Sequence, residues 1–377
     1  DEFAHQKQLV NDAFWSSESG TYAFALDKNN QKVIEPSVLA TVPMWFGLLD
    51  SDHAASMLTQ LAGPEHQTDW GMRIISSQSP RYDAGGYHYG SVWPLFTGWA
   101  AVGEYRYHRA LPAYSNLRSN ALLALDGSLG NVTEVLSGDY YQPLSTSSPH
   151  QIWSAAMVIS AMLRGMLGLE TDAVHNRFTL APHVPAGWSS FAVHNVRAGS
   201  TTASFDYQRT PSEISLQVES SGNAQIEFSP AISPRAQVIA ADVNGRRVPF
   251  QIQTDSFDQH PTVRVPIEKG KSTLRLRVAN DFAVGYSNSL PSLGSPSREL
   301  HVISESWSGA RDSLTLEVAG ISGSQYELAI WNAGEVTSVD GGQMKNGKLC
   351  VDFSPEQADT YSRQKVTIHF THISGRH

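Results

Sequence analysis

The sequence predicts a multidomain protein in which a helical domain precedes antiparallel β modules. The chain has 377 residues, enough for two or three domains at roughly 100–200 residues each. Apolar residues recur at helical spacing up to about residue 170, and apolar and polar residues alternate beyond it. Runs of helices followed by runs of strands are typical of separate helical and sheet domains.

The helical domain contains predicted helices that follow one another in pairs. Apolar residues recur at helical spacing over residues 35–61, 91–109, 111–125 and 150–167. The first segment breaks at residues 49–52, where an Asp-Ser-Asp run can cap a second helix, and Gly168 can close the last one. Long loops rich in Gly, Pro, Tyr, His and Trp separate the pairs. We therefore expect a helical toroid whose functional loops gather at one end.

The second half of the chain alternates apolar with polar side chains, as antiparallel strands do. The predicted strands are residues 214–218, 225–228, 236–243, 262–265, 272–278, 299–304, 313–318, 325–331, 348–353 and 365–370. Asn244-Gly245 is a hairpin signal. A Ser-, Pro- and Gly-rich run starting at Ser287 has the composition of a linker. The predicted domains are therefore residues 1–173, 174–286 and 299–377, with the linker at 287–298.

Composition excludes several classes of protein and function. Apolar residues make up 41% and charged residues 17% of the chain, which excludes disorder, a collagen repeat and a coiled coil. A net charge of −9 argues against a nucleic-acid partner. The single cysteine, Cys350, excludes a disulfide framework and a thiolate metal cluster. No apolar run is long enough to span a membrane. The sequence predicts no cofactor and no metal.

The first candidate site lies in the loops around residues 68–94. Aromatic rings there could stack on the C–H face of a pyranose, while Asp and Arg could hydrogen-bond its hydroxyl groups. The alternative is that Trp70, Tyr87 and Trp93 simply pack the ends of the helices. The candidate residues are Asp69, Trp70, Arg73, Tyr87, His88 and Trp93.

The second candidate site contains Glu134, in a Gly-flanked loop before the segment His150-Gln151-Ile152-Trp153-Ser154. A carboxylate in such a loop could act as a general base that deprotonates a water molecule. The alternative is a helix-capping or solvated carboxylate. Asp139 in the same loop is the rival candidate for the same role.

Together these motifs resemble the C-terminal half of the six-hairpin, (α/α)₆-barrel glycosidases. The motifs are Thr-Asp-Trp-Gly-Met-Arg at 68–73, Tyr-His-Tyr-Gly-Ser-Val-Trp-Pro at 87–94, Thr133-Glu134, Ser137-Gly138, His-Gln-Ile-Trp-Ser at 150–154, Leu-Gly-Leu at 167–169 and Leu-Ala-Pro at 180–182 with Trp188. They are most similar to the glycogen-debranching (amylo-α-1,6-glucosidase) group and to the related mannosylglycerate-hydrolase-like and processing-α-glucosidase group. The resemblance implies a partial (α/α)₆ toroid followed by β-sandwich modules.

The resemblance also implies a glycoside hydrolase that acts on α-linked glucosides or related oligosaccharides with inversion, and it places the general base at Glu134. It implies a sugar pocket that includes Asp69, Trp70, Arg73, Tyr87, His88, Trp93, His150, Gln151 and Trp153.

The general acid of this family lies in the earlier half of its toroid. None of Asp12, Glu18, Asp27 and Glu35 lies in a motif that matches it. We therefore expect the acid upstream of Asp1, on a complementary N-terminal fragment or subunit. That expectation leaves open whether this chain is active alone. Two alternatives also remain: a non-catalytic glycan-binding fragment, and an inverting glycoside phosphorylase on the same toroid.

Overall fold

The computed structural model describes residues 2–286, 288–355, 357 and 359–372. The predicted domain limits at Asp1, Ser287 and His377 lie outside the described residues. The helices are α1 Glu2–Phe14, α2 Val42–Trp45, α3 Ser51–Leu61, α4 Pro94–Arg106, α5 Ala110–Leu123 and α6 Ile152–Ser160. A 3₁₀ turn at Val38–Thr41 precedes α2, and a π-helical turn at Ala161–Met166 continues α6.

Two predicted helices are shorter in the structure than the apolar spacing indicates. The segment that begins at residue 35 forms only the 3₁₀ turn and α2, because Gly47 takes a left-handed backbone with φ 72° and ends the helix. Helix α4 begins at Pro94 rather than Ser91, because Val92 is extended and pairs with Leu136 of another loop. By contrast, α3 follows Asp50, and the last helical segment ends before Gly168, as predicted.

A first β sandwich follows the helices. Three two-stranded ribbons lie among the helices and contain β1 Trp15–Ser16, β2 Thr21–Tyr22, β3 Ala25–Leu26, β4 Lys32–Val33, β5 Gln67–Thr68 and β6 Gly71–Met72. The strands of the sandwich are β7 Glu170–Asp172, β8 Arg177–Leu180, β9 Ser190–Ala198, β10 Thr201–Thr210, β11 Glu213–Ser220, β12 Ala224–Phe228, β13 Gln237–Val243, β14 Arg246–Arg247, β15 Gln251–Thr254, β16 Gln259–Ile267 and β17 Gly270–Ala279. One sheet has the order β14-β13-β17-β11-β10-β9 and the other β15-β16-β12-β8-β7.

The pairing of the first sandwich is antiparallel except between β8 and β12, which are parallel. This corrects the expectation of a purely antiparallel module. The chain leaves β8 to build β9, β10 and β11 in the opposite sheet and then returns beside β8. A crossover connection of this length permits a parallel pair.

A second, smaller sandwich ends the described chain. Its strands are β18 Ala283–Gly285, β19 His301–Trp307, β20 Ser313–Ile321, β21 Gln325–Trp331, β22 Val336–Asp340, β23 Gln343–Lys345, β24 Lys348–Asp352 and β25 Tyr361–Phe370, with a 3₁₀ turn at Ala333–Glu335. Two four-stranded sheets, β18-β21-β24-β23 and β19-β20-β25-β22, enclose its core.

The helices and the sandwiches share buried surface. Tyr105 of α4 and Leu117 of α5 belong to the same core as Phe178 and Phe205 of the first sandwich. The two sandwiches meet where Arg235, whose side chain is fully buried, forms an ion pair of 2.6 Å with Glu335. The order of helices first and sheets second is confirmed. The partial (α/α)₆ toroid and the domain limits remain predictions. Among the described residues, no helix is long and apolar enough to cross a membrane.

The contact between α4 and α5 includes a buried carboxyl group whose charge makes stability depend on pH. Glu104 is 1% exposed and accepts a 2.8 Å hydrogen bond from Asn116 Nδ2. Burial raises the pKa of Glu104 from 4.5 to about 7. Since the folded state holds the proton more tightly than the unfolded chain, stability falls as the pH rises from 4.5 to 7.

We expect Glu104→Gln to remove this loss and to stabilise the protein above pH 7 by up to about 3 kcal/mol relative to wild type. The difference should shrink toward pH 4.5. Urea unfolding between pH 5 and 8.5 measures it. The exposed Glu268→Gln serves as the control and should show no such trend. A gain for Glu104→Gln that is independent of pH would contradict the assignment.

Candidate functional site

Three loops lie side by side at one end of the helices and build the candidate site. Backbone pairing joins Arg73 to Val92 and Val92 to Leu136. Val92 and Leu136 exchange two N–H···O bonds, each of 2.9 Å. The loops approach so closely at Gly138 that a Cβ atom there would lie 2.2 Å from the carbonyl oxygen of Gly90, which only glycine avoids. The loops around 68–73, 87–94 and 130–138 therefore form one rigid unit.

The buried layer of this unit contains Trp70 and Arg73. Trp70 is completely buried, and its Nε1 donates a 2.9 Å hydrogen bond to the carbonyl oxygen of Ser137. Arg73 donates from Nε to the carbonyl oxygen of Gly138 at 2.7 Å and from a terminal nitrogen to that of Pro64 at 2.7 Å. In this arrangement both predicted sugar-binding residues hydrogen-bond to the backbone beneath the site and hold the loops together.

Asp69 points away from the other candidates, toward the segment that precedes β19. Its carboxylate accepts hydrogen bonds from Ser297 Oγ at 2.5 Å, from the Arg298 amide at 2.9 Å and from the Glu299 amide at 3.1 Å. Burial raises the pKa of Asp69 from 3.8 to about 6, although these hydrogen bonds oppose the rise. The strand predicted to begin at Glu299 begins at His301 instead, because Glu299 is occupied in this contact.

The aromatic candidates form a continuous group of rings above the buried layer. Tyr87 contacts Trp93 edge to face at 4.6 Å between ring centroids, and His88 stacks on Trp93 at 5.7 Å with an interplanar angle of 10°. Trp153 at the start of α6 lies 6.4 Å from Trp93. Trp93 is 4% exposed, whereas Trp153 is 42% exposed. His88 and Trp153 therefore present ring surface to solvent, while Trp93 supports them from below.

Glu134 lies at the edge of this ring group and is half-buried. Its Oε1 accepts a 2.8 Å hydrogen bond from the hydroxyl group of Tyr87, and its Oε2 accepts one of 3.2 Å from the backbone amide of Ser148. Burial, followed by the neighbouring Glu134 carboxylate, raises the pKa of Tyr87 above its ordinary value, so the phenol remains a donor. A carboxylate that is held at both oxygens and remains partly exposed to solvent can orient and deprotonate a water molecule.

The remaining candidates occupy the margins of the site. Gln151 occupies the N-cap position of α6 without a side-chain capping hydrogen bond, and it donates its backbone N–H to the carbonyl oxygen of Val132 at 2.9 Å. His150 is exposed and lines a separate hollow of about 270 Å³ with Thr133 and Ser147. Asp139 accepts a 2.6 Å hydrogen bond from the hydroxyl group of Tyr82 rather than joining Glu134.

The structure thus brings together Glu134, Tyr87, His88, Trp93 and Trp153, and it places Asp69, Trp70 and Arg73 beneath them. Tyr87 is among the residues predicted from the sequence, but its hydrogen bond to Glu134 was not predicted, and Ser148 was not predicted as a site residue. Tyr87 is 47 residues away and Ser148 is 14 residues away along the chain. A spacing of that kind carries no periodic signal, so the sequence offered no means of finding the pairing.

The different burial of Trp93 and His88 predicts different effects of truncation on stability. Trp93 packs on Ile74, Ile75 and Val135, so Trp93→Ala should destabilise the protein by about 3–5 kcal/mol through the cavity that it leaves. His88→Ala removes an exposed ring and should cost less than about 1 kcal/mol. Denaturant unfolding of the two variants measures the difference. Equal losses would show that the two rings are equally structural.

Part of the chain matches a known family. Residues 2–154 match the family described as the mannosylglycerate hydrolase MGH1-like glycoside hydrolase domain. The match contains the three loops and Glu134, ends within α6, and covers less than half of the chain. No curated protein matches the chain.

Several solved structures are similar to the chain at low identity. They include α-L-rhamnosidase from Dictyoglumus thermophilum (12% identity, TM-score 0.47, 72% of this chain and 28% of that one). Neutral trehalase Nth1 from Saccharomyces cerevisiae is similar over 41% of this chain and 28% of its own (18% identity, TM-score 0.32). The GH63 mannosylglycerate hydrolase from Thermus thermophilus is similar over 40% of this chain and 34% of its own (19% identity, TM-score 0.32). The chain spans about a third or less of these proteins. The family match confirms, for residues 2–154, the resemblance to the mannosylglycerate-hydrolase-like group of six-hairpin glycosidases.

Proposed function

We propose that this chain is the C-terminal portion of a glycoside hydrolase that cleaves α-linked glucosides or related oligosaccharides with inversion. The observation that carries the proposal is the position of Glu134. Its carboxylate is fixed by Tyr87 and Ser148 beside the exposed rings of His88 and Trp153. A fixed carboxylate next to aromatic ring surface supplies two of the three parts that sugar hydrolysis needs, since the rings can hold the sugar and the carboxylate can act on water, and a carboxylic acid completes the set.

In this mechanism Glu134 is the general base. An inverting glycosidase uses one carboxylate to activate water on one face of the sugar and one carboxylic acid to protonate the leaving oxygen on the other. The hydroxyl group of Tyr87 and the amide of Ser148 would keep the Glu134 carboxylate in one orientation. Gln151 and His150 directly precede α6 and Trp153, so they would contact a sugar only beyond the ring group, on the side of the hollow that His150 lines. Asp69, Trp70 and Arg73 would act by positioning the loops.

We further propose that the general acid comes from a complementary N-terminal fragment or subunit. Helix α6 exposes apolar side chains on one stripe, with Ile152 83% and Ile159 57% exposed beside Trp153. A contiguous apolar stripe next to a binding surface supports a covering partner.

A non-catalytic glycan-binding fragment is the second candidate. It is favoured by the same rings, because His88 and Trp153 offer stacking surface whether or not a general acid is present. An inverting phosphorylase on the same toroid would use phosphate in place of the water and its base. Turnover that requires phosphate would identify that third case.

The decisive variant is Glu134→Gln, assayed with α-linked glucosides together with any fragment that copurifies. We expect turnover to fall by about 10²–10⁴ with little change in sugar affinity, because the amide cannot accept the proton of water. NMR of the first product should show the anomer opposite to that of the substrate. Asp139→Asn is the matched control from the same loop and should cost much less. Loss of turnover in the control alone would assign the base to Asp139.

Sugar binding can be tested independently of turnover. His88→Ala and Trp153→Ala should each weaken oligosaccharide binding by about 1–3 kcal/mol, roughly 5- to 150-fold, through lost stacking and hydrogen bonding. Isothermal titration calorimetry measures the change. Tyr89→Ala removes an exposed ring next to His88 that belongs to none of the ring contacts described above, and it should leave the affinity unchanged. Unchanged binding in all three variants would show that the ring group is not a sugar surface.

A further inference from the structure

Four polar side chains from distant parts of the chain converge where the helices meet the first sandwich. His108 lies in the turn between α4 and α5, and His183 follows β8. Asp258 directly precedes β16, and His260 is its second residue. Each offers one nitrogen or oxygen atom, and these four atoms all lie within 4.8 Å of one another. Their side chains are only 9–22% exposed, and three of them line a cavity of about 110 Å³.

The Asp258 carboxylate is the centre of this group. Its Oδ1 lies 2.7 Å from His108 Nδ1, and its Oδ2 lies 3.1 Å from His183 Nε2 and 3.4 Å from His260 Nε2. His108 holds its position in a left-handed backbone conformation, with φ 61°. Few residues other than glycine adopt that conformation, and His is, with Asn and Asp, among those that adopt it more often.

The protonation of His260 can be assigned from its other neighbour. His260 Nδ1 lies 2.7 Å from the carbonyl oxygen of Ser229, which can only accept a hydrogen bond, so Nδ1 carries the proton. In the neutral ring Nε2 then presents a lone pair to the Asp258 carboxylate. Two lone pairs facing each other at 3.4 Å repel unless a cation lies between them. A histidine that donates its outer N–H to a backbone carbonyl is also the usual arrangement of a metal ligand.

Three of the converging atoms lack the hydrogen bonds that burial normally requires. His108 Nδ1, Asp258 Oδ1 and His260 Nε2 are buried and have no hydrogen-bond partner within the described part of the chain. His108 Nδ1 and Asp258 Oδ1 are 2.7 Å apart, which is the distance of an ion pair, but the contact is poorly aligned for a hydrogen bond. Buried polar atoms without partners are rare in folded proteins. Three of them facing one another indicate a shared ligand.

We propose that His108, His183, Asp258 and His260 bind one divalent transition-metal ion and that zinc fits them best. Three imidazoles and one carboxylate match the ligand preference of zinc, whereas calcium and magnesium favour oxygen donors. Bond lengths of about 2.0–2.2 Å place tetrahedral ligand atoms about 3.4 Å apart, so small side-chain rotations from the present spacing complete the site.

Four protein ligands leave no open coordination position, which is typical of a structural metal. The ion would link three parts of the chain: the turn between α4 and α5, the segment that follows β8, and strand β16. This role is independent of the proposed glycosidase function.

The test uses the full chain after treatment with a chelator and dialysis. Calorimetric titration with Zn²⁺ should give one ion per chain, and saturating zinc should raise Tm by several degrees, since a ligand that binds only the folded state stabilises it. His260→Gln and Asp258→Asn should each weaken zinc binding by at least tenfold. His175→Gln is the matched control, because His175 also lies 2.7 Å from an aspartate, Asp172, but at the exposed surface.

The proposal fails if the wild-type chain binds no zinc, which would show that a protonated imidazole fills the cluster instead. It also fails if His260→Gln and His175→Gln bind zinc equally well. Should the cluster variants not fold, cobalt binding to the wild-type chain decides the question. A four-coordinate site gives intense visible absorption bands, and weak bands typical of six-coordinate cobalt would overturn the assignment.

Discussion

The pairing of Val92 with Leu136 is the interaction on which the candidate site depends. It converts two loops from different helical hairpins into a short stretch of sheet, and Arg73 extends that stretch on the other side. Because of this pairing α4 begins at Pro94 and lacks its first predicted turn, since Val92 cannot be extended for pairing and helical at the same time. In return the rings of the 87–94 loop and the carboxylate of Glu134 occupy fixed positions relative to each other.

Burial divides the polar and aromatic residues of these loops into two groups with different tasks. Trp70 and Arg73 direct their hydrogen-bonding atoms at backbone carbonyls, which stabilises loops that contain little regular structure. Asp69 extends this support to the segment before β19. With the support below, the side chains above can stay partly exposed without losing their geometry. Such an arrangement suits a binding surface that must be preformed to save the entropy of ordering it.

Much of the secondary structure could be predicted from periodicity, whereas the contacts between distant segments could not. Strand β21 has the predicted limits, and Asn244-Gly245 forms a two-residue hairpin with φ values of 51° and 78°. These features depend on neighbouring residues alone. The support of Glu134 by Tyr87 and the convergence of His108 with His260 depend on contacts between residues far apart in the sequence. Periodicity and local motifs carry no information about contacts of that kind.

The buried Arg235 connects the first sandwich to the second. Its guanidinium pairs with Glu335, lies 4.3 Å from the ring of Phe370 and donates to the carbonyl oxygen of Thr371, all from the second sandwich. Removal of the second sandwich would delete the ion pair and ring contact of Arg235 and would expose Leu111 of α5, which is buried in the core of the second sandwich. The junction near residue 290 is therefore a poor place to divide the chain for expression, however much its composition resembles that of a linker.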